Sequence, residues 1–577
     1  MLLTHSPLLG IFALGAAAID LNVGRGDRTI QNLKQKVSDH ESKVQSRSDT
    51  KLTTLESESI SSSLVKREDV DLSELYPAHN LSVPVDYFHN ESCYEPHSNE
   101  FFNLRYWFDA SNYKPGGPVI VLQSGETSGV GRLPFLQKGI VAQLTQATNG
   151  IGVILEHRYY GTSFPTPNIS TENLRFLTTE QALADQAYFS QHIKFPGMED
   201  QDLSSNTTAH IAYGGSYAGA YVAFLRKIYP DVYWGAISSS GVTKAIYDYW
   251  QYYAAIAKYG PKDCIKAQKT LTHMVDNILI GKNDTDLTME LKDAFGLGNI
   301  TYDNDFASVL GSGVGNFQSL NWDPEISSPE FYNYCNNISS TDVLYPATEA
   351  KRKTASHLLK AGGYKPKEAL VNQLLNYIGY INSTSVSRCD DYNQDSCYSQ
   401  HNATFYEDVS ISSYGTRSWA YQYCTEWGYL QTGSGVPKNE LPLISRTIDL
   451  EYSTLICRYA FNRTAPPDVE RVNKYGGYDI SYPRLAFLDG QWDPWRPASP
   501  HAFDYGARRR KSTISEPFIL IDDAVHHWDE NGLFPNETTS KLPPKPVVDG
   551  QREEVKFVKA WMHEWKYKRA EEGKWWY

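Results

Sequence analysis

The stretch AHIAYGGSYAGAYVAFLRKIYP, residues 209–230, runs from apolar residues through Gly214-Gly215-Ser216-Tyr217-Ala218-Gly219 into apolar residues at helical spacing. Ala209–Tyr213 reads as a short buried strand and Ala218–Tyr229 as a helix. A chain that turns this abruptly needs glycines, which tolerate unusual dihedrals and let backbones approach closely. The start of the helix offers N–H groups to developing negative charge. This strand–turn–helix order is what a nucleophile elbow requires, with Ser216 at its tip. An ordinary serine in a Gly-rich turn has the same local signature. The rest of the chain must therefore supply partners before Ser216 becomes a nucleophile.

The neighbouring sequence alternates strand-like and helix-like runs. FFNLRYWFDA (101–110) reads as one strand of a hairpin, and GPVIVLQSGE (117–126) as a buried strand ending in a Gly-rich turn. GIGVILEHRYYG (150–161) and WGAISSSG (234–241) read as further strands. TTEQALADQAYFSQHI (178–193) reads as a helix capped by Thr178 or Thr179. Such alternation predicts an α/β fold with a mostly parallel sheet. From about 245 to 410 the texture becomes charged, Tyr-rich and helical, with MVDNILIGK, KRKTASHLLKAGG and KEALVNQLLNYIGYI as helices. Strand patterns return in YPRLAFLDGQWDPW (482–495) and EPFILIDDAVHHWDENG (516–532), and residues 551–573 predict a terminal amphipathic helix. The expected layout is a core in two parts, 68–245 and 479–577, interrupted by an inserted, mainly helical cap with its return segment, 246–478.

A serine nucleophile needs a base within hydrogen-bond reach and a carboxylate that holds the base in the right tautomer. On α/β-hydrolase sheets the chain order is Ser, then Asp or Glu, then His, with the partners in loops after strands. The strand RLAFLDG delivers Asp493, and Pro494 biases the residue before it toward an extended turn. The next strand, FILIDD, delivers His526-His527. His501 follows Asp493 too closely to belong to another sheet strand, and His563 sits in a charged helix. The strand–loop argument thus leaves His526 or His527 as base. Two N–H donors must hold the oxyanion. Tyr217, after the nucleophile, supplies one, and the turn SGET (124–127), at Gly125, is placed to supply the other.

EHRYYGTS (156–163) resembles a signature of the Pro-Xaa carboxypeptidase family of serine peptidases. That family includes lysosomal prolyl carboxypeptidase, dipeptidyl peptidase II, thymus-specific serine protease and secreted fungal relatives. LRFLTTEQALADQAYF (174–189), GGSYAGA (214–220), RSWAYQYCTEWGYLQTG (417–433), DGQWDPW (489–495) and AVHHWDE (524–530) extend the resemblance over roughly residues 80–570. It implies an α/β-hydrolase core with a helical cap over the active site. It also implies peptide hydrolysis after proline, often at acidic pH, with Ser216 as nucleophile, Asp493 as orienting acid and His526, the first of the pair, as base. Glu156, His157 and Arg158 are expected to be structural, an ion-paired floor under the pocket. Glu426 is a candidate for binding a substrate amine, although WAYQYCTE also fits a Cys-tethered packing element. Two other readings stay open: an esterase or lipase on the same fold, and a non-catalytic adhesion module.

Composition bounds these readings. The net charge is −13 with no basic stripe, which argues against a nucleic-acid partner. The seven cysteines contain no CxxC, so no zinc or redox site is expected, and no cofactor is implied. In a secreted chain they read as disulfides with one thiol left over, and Cys389–Cys397 and Cys424–Cys457 are the pairings put forward. Residues 6–18, SPLLGIFALGAAA, are too short to span a bilayer and end in small residues, as a signal peptide (1–18) does. No later run is long enough for a membrane span. Sequons at Asn80, Asn90, Asn168, Asn206, Asn283, Asn299, Asn337, Asn382, Asn402, Asn462 and Asn536 support secretion, to the exterior or an acidic vacuole or lysosome. Residues 19–67 are polar and poor in large apolar side chains, and they end at Lys66-Arg67. They read as a disordered propeptide. N-terminal sequencing of the mature protein is expected to start at Glu68, and a start upstream of it overturns that cleavage.

Overall fold

The computed structural model describes residues 71–389, 393–412 and 415–571; the expected signal peptide and propeptide lie outside them. Eight strands form the central sheet: β1 (His79–Pro84), β2 (Phe101–Asp109), β3 (Val119–Gln123), β4 (Ile151–Leu155), β5 (His210–Gly215), β6 (Gly235–Ser239), β9 (Leu485–Gly490) and β10 (Phe518–Ile521). Their order is β1-β2-β4-β3-β5-β6-β9-β10. β1 and β2 run antiparallel at one edge, and all pairings from β4 to β10 are parallel. β3, β4, β6 and β9 are buried at every position, which is why VIVLQ and IGVIL are nearly continuous apolar runs rather than alternating ones.

Both faces of the sheet are covered. In β3, Val119 and Val121 join the core under the helices Thr179–His192 and Tyr217–Ile228. Ile120 and Leu122 join the opposite core, with Ile140, Leu144, Phe557 and Trp561 of the helices Ile140–Thr148 and Lys545–Glu571. Each such side chain, fully buried, contributes about 1.5–3 kcal/mol. The helix Thr179–His192 starts where expected, with the Thr178 hydroxyl accepting from the Gln181 N–H at 3.3 Å. β3 lies between β4 and β5, so successive connections leave it on opposite sides. That reversal opens a crevice at the carboxyl ends of β3 and β5, the usual place for a site in such sheets.

Between β6 and β9 the chain is mainly helical, with helices that include Gln251–Tyr259, Lys262–Asp276, Arg352–Ala361 and Glu368–Thr384. Its one described sheet is a short parallel pair, β7 (Ile246–Asp248) with β8 (Gly428–Leu430). Disulfides join Cys264–Cys335, Cys389–Cys397 and Cys424–Cys457, and Cys93 is a free thiol at the surface. Indoles fasten this insertion to the loops that follow β9 and β10. Trp495 Nε1 donates to Gln318 Oε1 at 2.7 Å, Trp528 Nε1 to the Leu320 carbonyl at 2.9 Å, and Trp322 Nε1 to the Trp528 carbonyl at 2.9 Å. The insertion is thus a cap over the carboxyl end of the sheet. Among the described residues, no helix is long and apolar enough to cross a membrane.

The sequon asparagines 80, 90, 206, 283, 299, 462 and 536 are exposed. Asn168, Asn337, Asn382 and Asn402 are partly buried, and the Asn382 amide nitrogen donates to the Phe295 and Ile378 carbonyls, which turns the glycan-accepting atom inward.

The terminal helix begins six residues earlier than the pattern suggested and is tied to the loop after β10. Gln551 Nε2 donates to the carbonyls of Asp529 (2.8 Å) and Asn531 (2.7 Å). One turn on, Glu554 is fully buried, and neither carboxyl oxygen has a hydrogen-bond partner. Burial pushes its pKa well above the usual carboxylate range, and Asp529 and Glu530 push further. Asp529, held by Ser239 and Tyr213, is itself raised to about 6, chiefly by burial. An acid whose folded pKa is raised stabilises the fold fully below its unfolded pKa and loses that contribution as pH climbs through the folded value. Thermal melts are therefore expected to show higher stability near pH 4 than at pH 7–8. Glu554→Gln should flatten this slope by raising the unfolding temperature at the neutral end; an unchanged slope would contradict the assignment.

Candidate active site

The crevice at the switch point is built on the elbow. Ser216 sits between β5 and the helix Tyr217–Ile228 with φ 60° and ψ −124°, a conformation that non-glycine residues rarely adopt. Two glycines make the turn possible. A Cβ at Gly214 would overlap the Ala218 carbonyl, and one at Gly219 would lie 2.8 Å from the Ser239 carbonyl. The Ser216 N–H donates to the Ser239 carbonyl at 2.9 Å, fixing the elbow to the end of β6. Ser216 itself is only partly buried, so its hydroxyl is open to substrate.

Asp493 follows β9 and is completely buried. Its Oδ1 accepts from the Trp495 N–H at 2.8 Å, across the turn that Pro494 rigidifies, and its Oδ2 lies 2.8 Å from His526 Nδ1. His526 Nε2 is buried and has no hydrogen-bond partner. With Nδ1 on Asp493, Nε2 is the ring atom free to meet a hydroxyl. Burial pushes the His526 pKa below 6.5; the Asp493 carboxylate pulls the other way without overcoming it, and the neighbouring His527 adds to the push. His527 does not compete for Asp493. Its N–H donates to Ser240 Oγ at 2.9 Å, and its Nδ1 lies 2.9 Å from Glu530 Oε2, close enough for an ion pair but not aligned as a hydrogen bond. Burial works against the charged His527 ring, but Glu530 outweighs it and raises the pKa. The same pairing of loops brings the base to the elbow: Ser240 lies one residue past β6, and a Cβ at Gly215 would meet Glu530 Oε1 at 2.5 Å.

Tyr217 is the first residue of its helix, so its N–H has no partner one turn back and is placed to receive an oxyanion. Gly125 is a correction to the expected second donor. Its N–H donates to Gln123 Oε1 at 3.1 Å and is already engaged. Its positive φ of 73° instead shapes the turn that packs on Ala218.

EHRYYG is scaffold. Glu156 accepts from Arg105 Nη2 at 2.6 Å, Ser163 Oγ at 2.8 Å and the N–H groups of Gly129 and Thr162 at 3.0 Å. It thereby anchors the turn after β3. His157 Nε2 lies 2.9 Å from the Tyr217 hydroxyl, which also accepts from Gln422 Nε2 at 2.8 Å. Arg158 bonds both oxygens of Asp185, at 2.6 and 2.7 Å. Glu426 accepts from the N–H and hydroxyl of Thr179 at 3.0 and 2.9 Å and pairs with Arg471 at 3.3 Å. Both of its oxygens are thus committed to the start of a core helix and to Arg471. The Cys424–Cys457 bridge holds the π-helical turn Tyr423–Trp427 that carries it. No group of His, Cys, Asp and Glu among the described residues could hold a metal ion.

A serine on a strained strand–helix turn, a buried His–Asp pair after the last two strands and a helix N-terminus beside the serine define a serine hydrolase of the α/β type. The chain belongs to the serine carboxypeptidase S28 family, whose model matches residues 90–542. It is 54% identical over 516 residues to a "Probable extracellular serine carboxypeptidase" of Arthroderma benhamiae, covering 89% of this chain and 72% of that one. It is 27% identical to the serine protease vicPb of Bipolaris victoriae, covering 74% of this chain and 80% of that one. It is 26% identical to the thymus-specific serine protease of Mus musculus, covering 76% and 81%.

Ser216→Ala and His526→Ala are each expected to lower kcat by about 10⁴–10⁶-fold, and Asp493→Asn by about 10⁴-fold. His527→Ala leaves the His526–Asp493 pair standing and should cost far less. Steady-state rates and fluorophosphonate labelling check this order, and equal losses at the two histidines would refute the assignment of the base.

Proposed function

We propose that this chain is a secreted peptidase that cleaves after proline through an acyl-enzyme and acts as a carboxypeptidase. The observation that carries the reading is the His526 Nδ1–Asp493 Oδ2 contact of 2.8 Å beside the Ser216 elbow, in a chain of the S28 family. His526 Nε2 takes the Ser216 proton as Oγ attacks the carbonyl carbon of the scissile bond. The Tyr217 N–H holds the tetrahedral oxyanion. The imidazolium, steadied by Asp493, gives its proton to the leaving amine, and water then repeats the cycle on the ester. A cap pinned over the sheet end by Trp322, Trp495 and Trp528 supports an exopeptidase, because a cap that narrows one end of a cleft admits a chain terminus more readily than a chain interior. Three disulfides and the relative named as extracellular support secretion.

The base must be neutral to accept a proton, and burial keeps the His526 pKa below its ordinary value. The acid limb of kcat/KM is therefore expected below pH 6.5, with activity rising as pH climbs through it. Wild type and Ser216→Ala should be compared on proline-containing peptides capped at either end, at acidic and neutral pH, with products read by mass spectrometry. Cleavage after proline by wild type alone, blocked by a C-terminal cap, supports the proposal. Blocking by the N-terminal cap points to dipeptide release, and cutting despite both caps to an endopeptidase. Turnover of esters but of no peptide would replace it with the esterase reading.

A further inference from the structure

The acyl-transfer steps use the backbone N–H of Tyr217 and leave its side chain without a part. That side chain is buried, and both the core and the insertion hold it. From the core, the His157 ring meets the Tyr217 ring edge-on, with centroids 5.5 Å apart. From the insertion, Trp419 and Trp427 do the same at 5.5 and 4.9 Å. The hydroxyl at the end of the ring lies between His157 Nε2 at 2.9 Å and Gln422 Nε2 at 2.8 Å. Gln422 ends the helix Thr416–Gln422 of the insertion and is itself fully buried. One pattern of protons satisfies this cluster. The Arg158 carbonyl lies 2.7 Å from His157 Nδ1 and can only accept, so Nδ1 carries the ring proton. Burial pushes the His157 pKa down to about 3, so the ring is neutral from mildly acidic pH upward and Nε2 is an acceptor. The Tyr217 hydroxyl therefore donates to His157 and accepts from Gln422, whose Oε1 accepts in turn from the Tyr160 hydroxyl. The chain of donors runs from Tyr160 through Gln422, Tyr217 and His157 to the Arg158 carbonyl, and Gln422 is the member that the insertion supplies.

We propose that Gln422 is a positioning residue for the oxyanion hole, holding the Tyr217 hydroxyl so that the Tyr217 N–H keeps its aim at the developing oxyanion of the substrate. The proposal rests on the reading of Ser216 and the Tyr217 N–H as the acyl-transfer centre. The first turn of a helix is where backbone hydrogen bonds constrain the chain least, because its N–H groups have no partner one turn back. Tyr217 stands at that place, directly after the strained Ser216. A ring held at its far end by two hydrogen bonds fixes the Cα that carries both the ring and the amide nitrogen. An oxyanion donor works within about 2.7–3.1 Å of the oxygen it will hold, so a small displacement is felt in rate before it is felt in binding. Gln422 thus ties the oxyanion donor to the seating of the insertion. With the helix Thr416–Gln422 displaced, the Tyr217 hydroxyl loses its donor and the Tyr160 hydroxyl its acceptor.

The test compares full-length wild type, Gln422→Ala, Gln422→Glu, Tyr217→Phe and the double variant Tyr217→Phe with Gln422→Ala. Each is assayed on a proline-containing peptide and on an ester, with rates counted per site labelled to completion by a fluorophosphonate. Gln422→Ala is expected to lower kcat by about 10- to 100-fold on both substrates with little change in KM, the pattern of an interaction felt in the transition state. Tyr217→Phe cuts the same hydrogen bond, so the double variant should lose no more than the larger single loss. Gln422→Glu keeps the shape and, when protonated, accepts from Tyr160 and donates to Tyr217. It should restore kcat toward wild type at acidic pH and lose that gain where the glutamate ionises. A merely structural residue would lower the number of labelled sites and leave the rate per site unchanged. Wild-type kcat per site in Gln422→Ala, additive losses in the double variant, or a Gln422→Glu no faster than Gln422→Ala at acidic pH would overturn the role of Gln422 while leaving the peptidase reading intact. A wild type that turns over the ester and no peptide removes the peptidase reading, and the ester rates still decide the role of Gln422, because both reactions pass through the same oxyanion.

Discussion

The backbone of Ser216, held at φ 60°, is the constraint on which the rest of the site depends. Such a conformation costs about 1–3 kcal/mol and survives only where its surroundings over-determine it. Here they do so from three directions. The Ala218 carbonyl fills the space a Cβ at Gly214 would need, the end of β6 fills that of Gly219, and the Ser239 carbonyl takes the Ser216 N–H. The return for this strain is a hydroxyl that projects from the sheet end and a helix whose first N–H points at the same place. The buried sheet underneath supplies the stability that the elbow consumes.

Around the elbow, charge is buried in graded fashion. Asp493 and His526 form a buried pair on the loops after the last two strands of the sheet. Beside it, His527 and Glu530 form a second pair, and behind that Asp529 and Glu554 are acids raised by burial, Asp529 further by Glu530, and Glu554 further by Asp529 and Glu530. A neutral acid without hydrogen-bond partners costs about 1–3 kcal/mol in an apolar interior, whereas an ionised one costs several kcal/mol more. The fold therefore sits most easily where these groups hold their protons. Higher stability at acidic pH is then expected from the same burial that positions the loop after β10.

The core was legible because its strands are buried along their whole length, so VIVLQ, IGVIL and LAFLDG stand out as apolar runs between turn residues. β1 was not, because its half-exposed, edge-strand sequence HNLSVP carries no such run. Asp493 could be read from its position after a strand. The two adjacent histidines could not be separated by position alone, because the choice depends on a left-handed turn at His527 (φ 34°) that sends the two rings to different acids. Gly125 misled for a related reason. Its place in the turn was correct, but a side chain two residues earlier, Gln123, takes the N–H that position made available. Glu530, three residues after His527, left a signal in HHWDE that spacing could have found.

The scaffold residues explain why so long a signature surrounds so small a catalytic set. Glu156 fixes the turn after β3, His157 orients the Tyr217 side chain and Arg158 clamps the helix Thr179–His192 through Asp185. None of the three touches the reacting atoms, yet each holds an element that does or that borders one. Because they are buried and paired, loss of one partner strands the other, at a cost of about 3–5 kcal/mol for a charge pair such as Arg158–Asp185. A buried ionic floor of this kind makes the cleft walls rigid with respect to one another. That rigidity matters where Ser216 and the Tyr217 N–H come from the elbow and Asp493 and His526 from two further loops, because misplacement by about 1 Å can cost a hundredfold in rate.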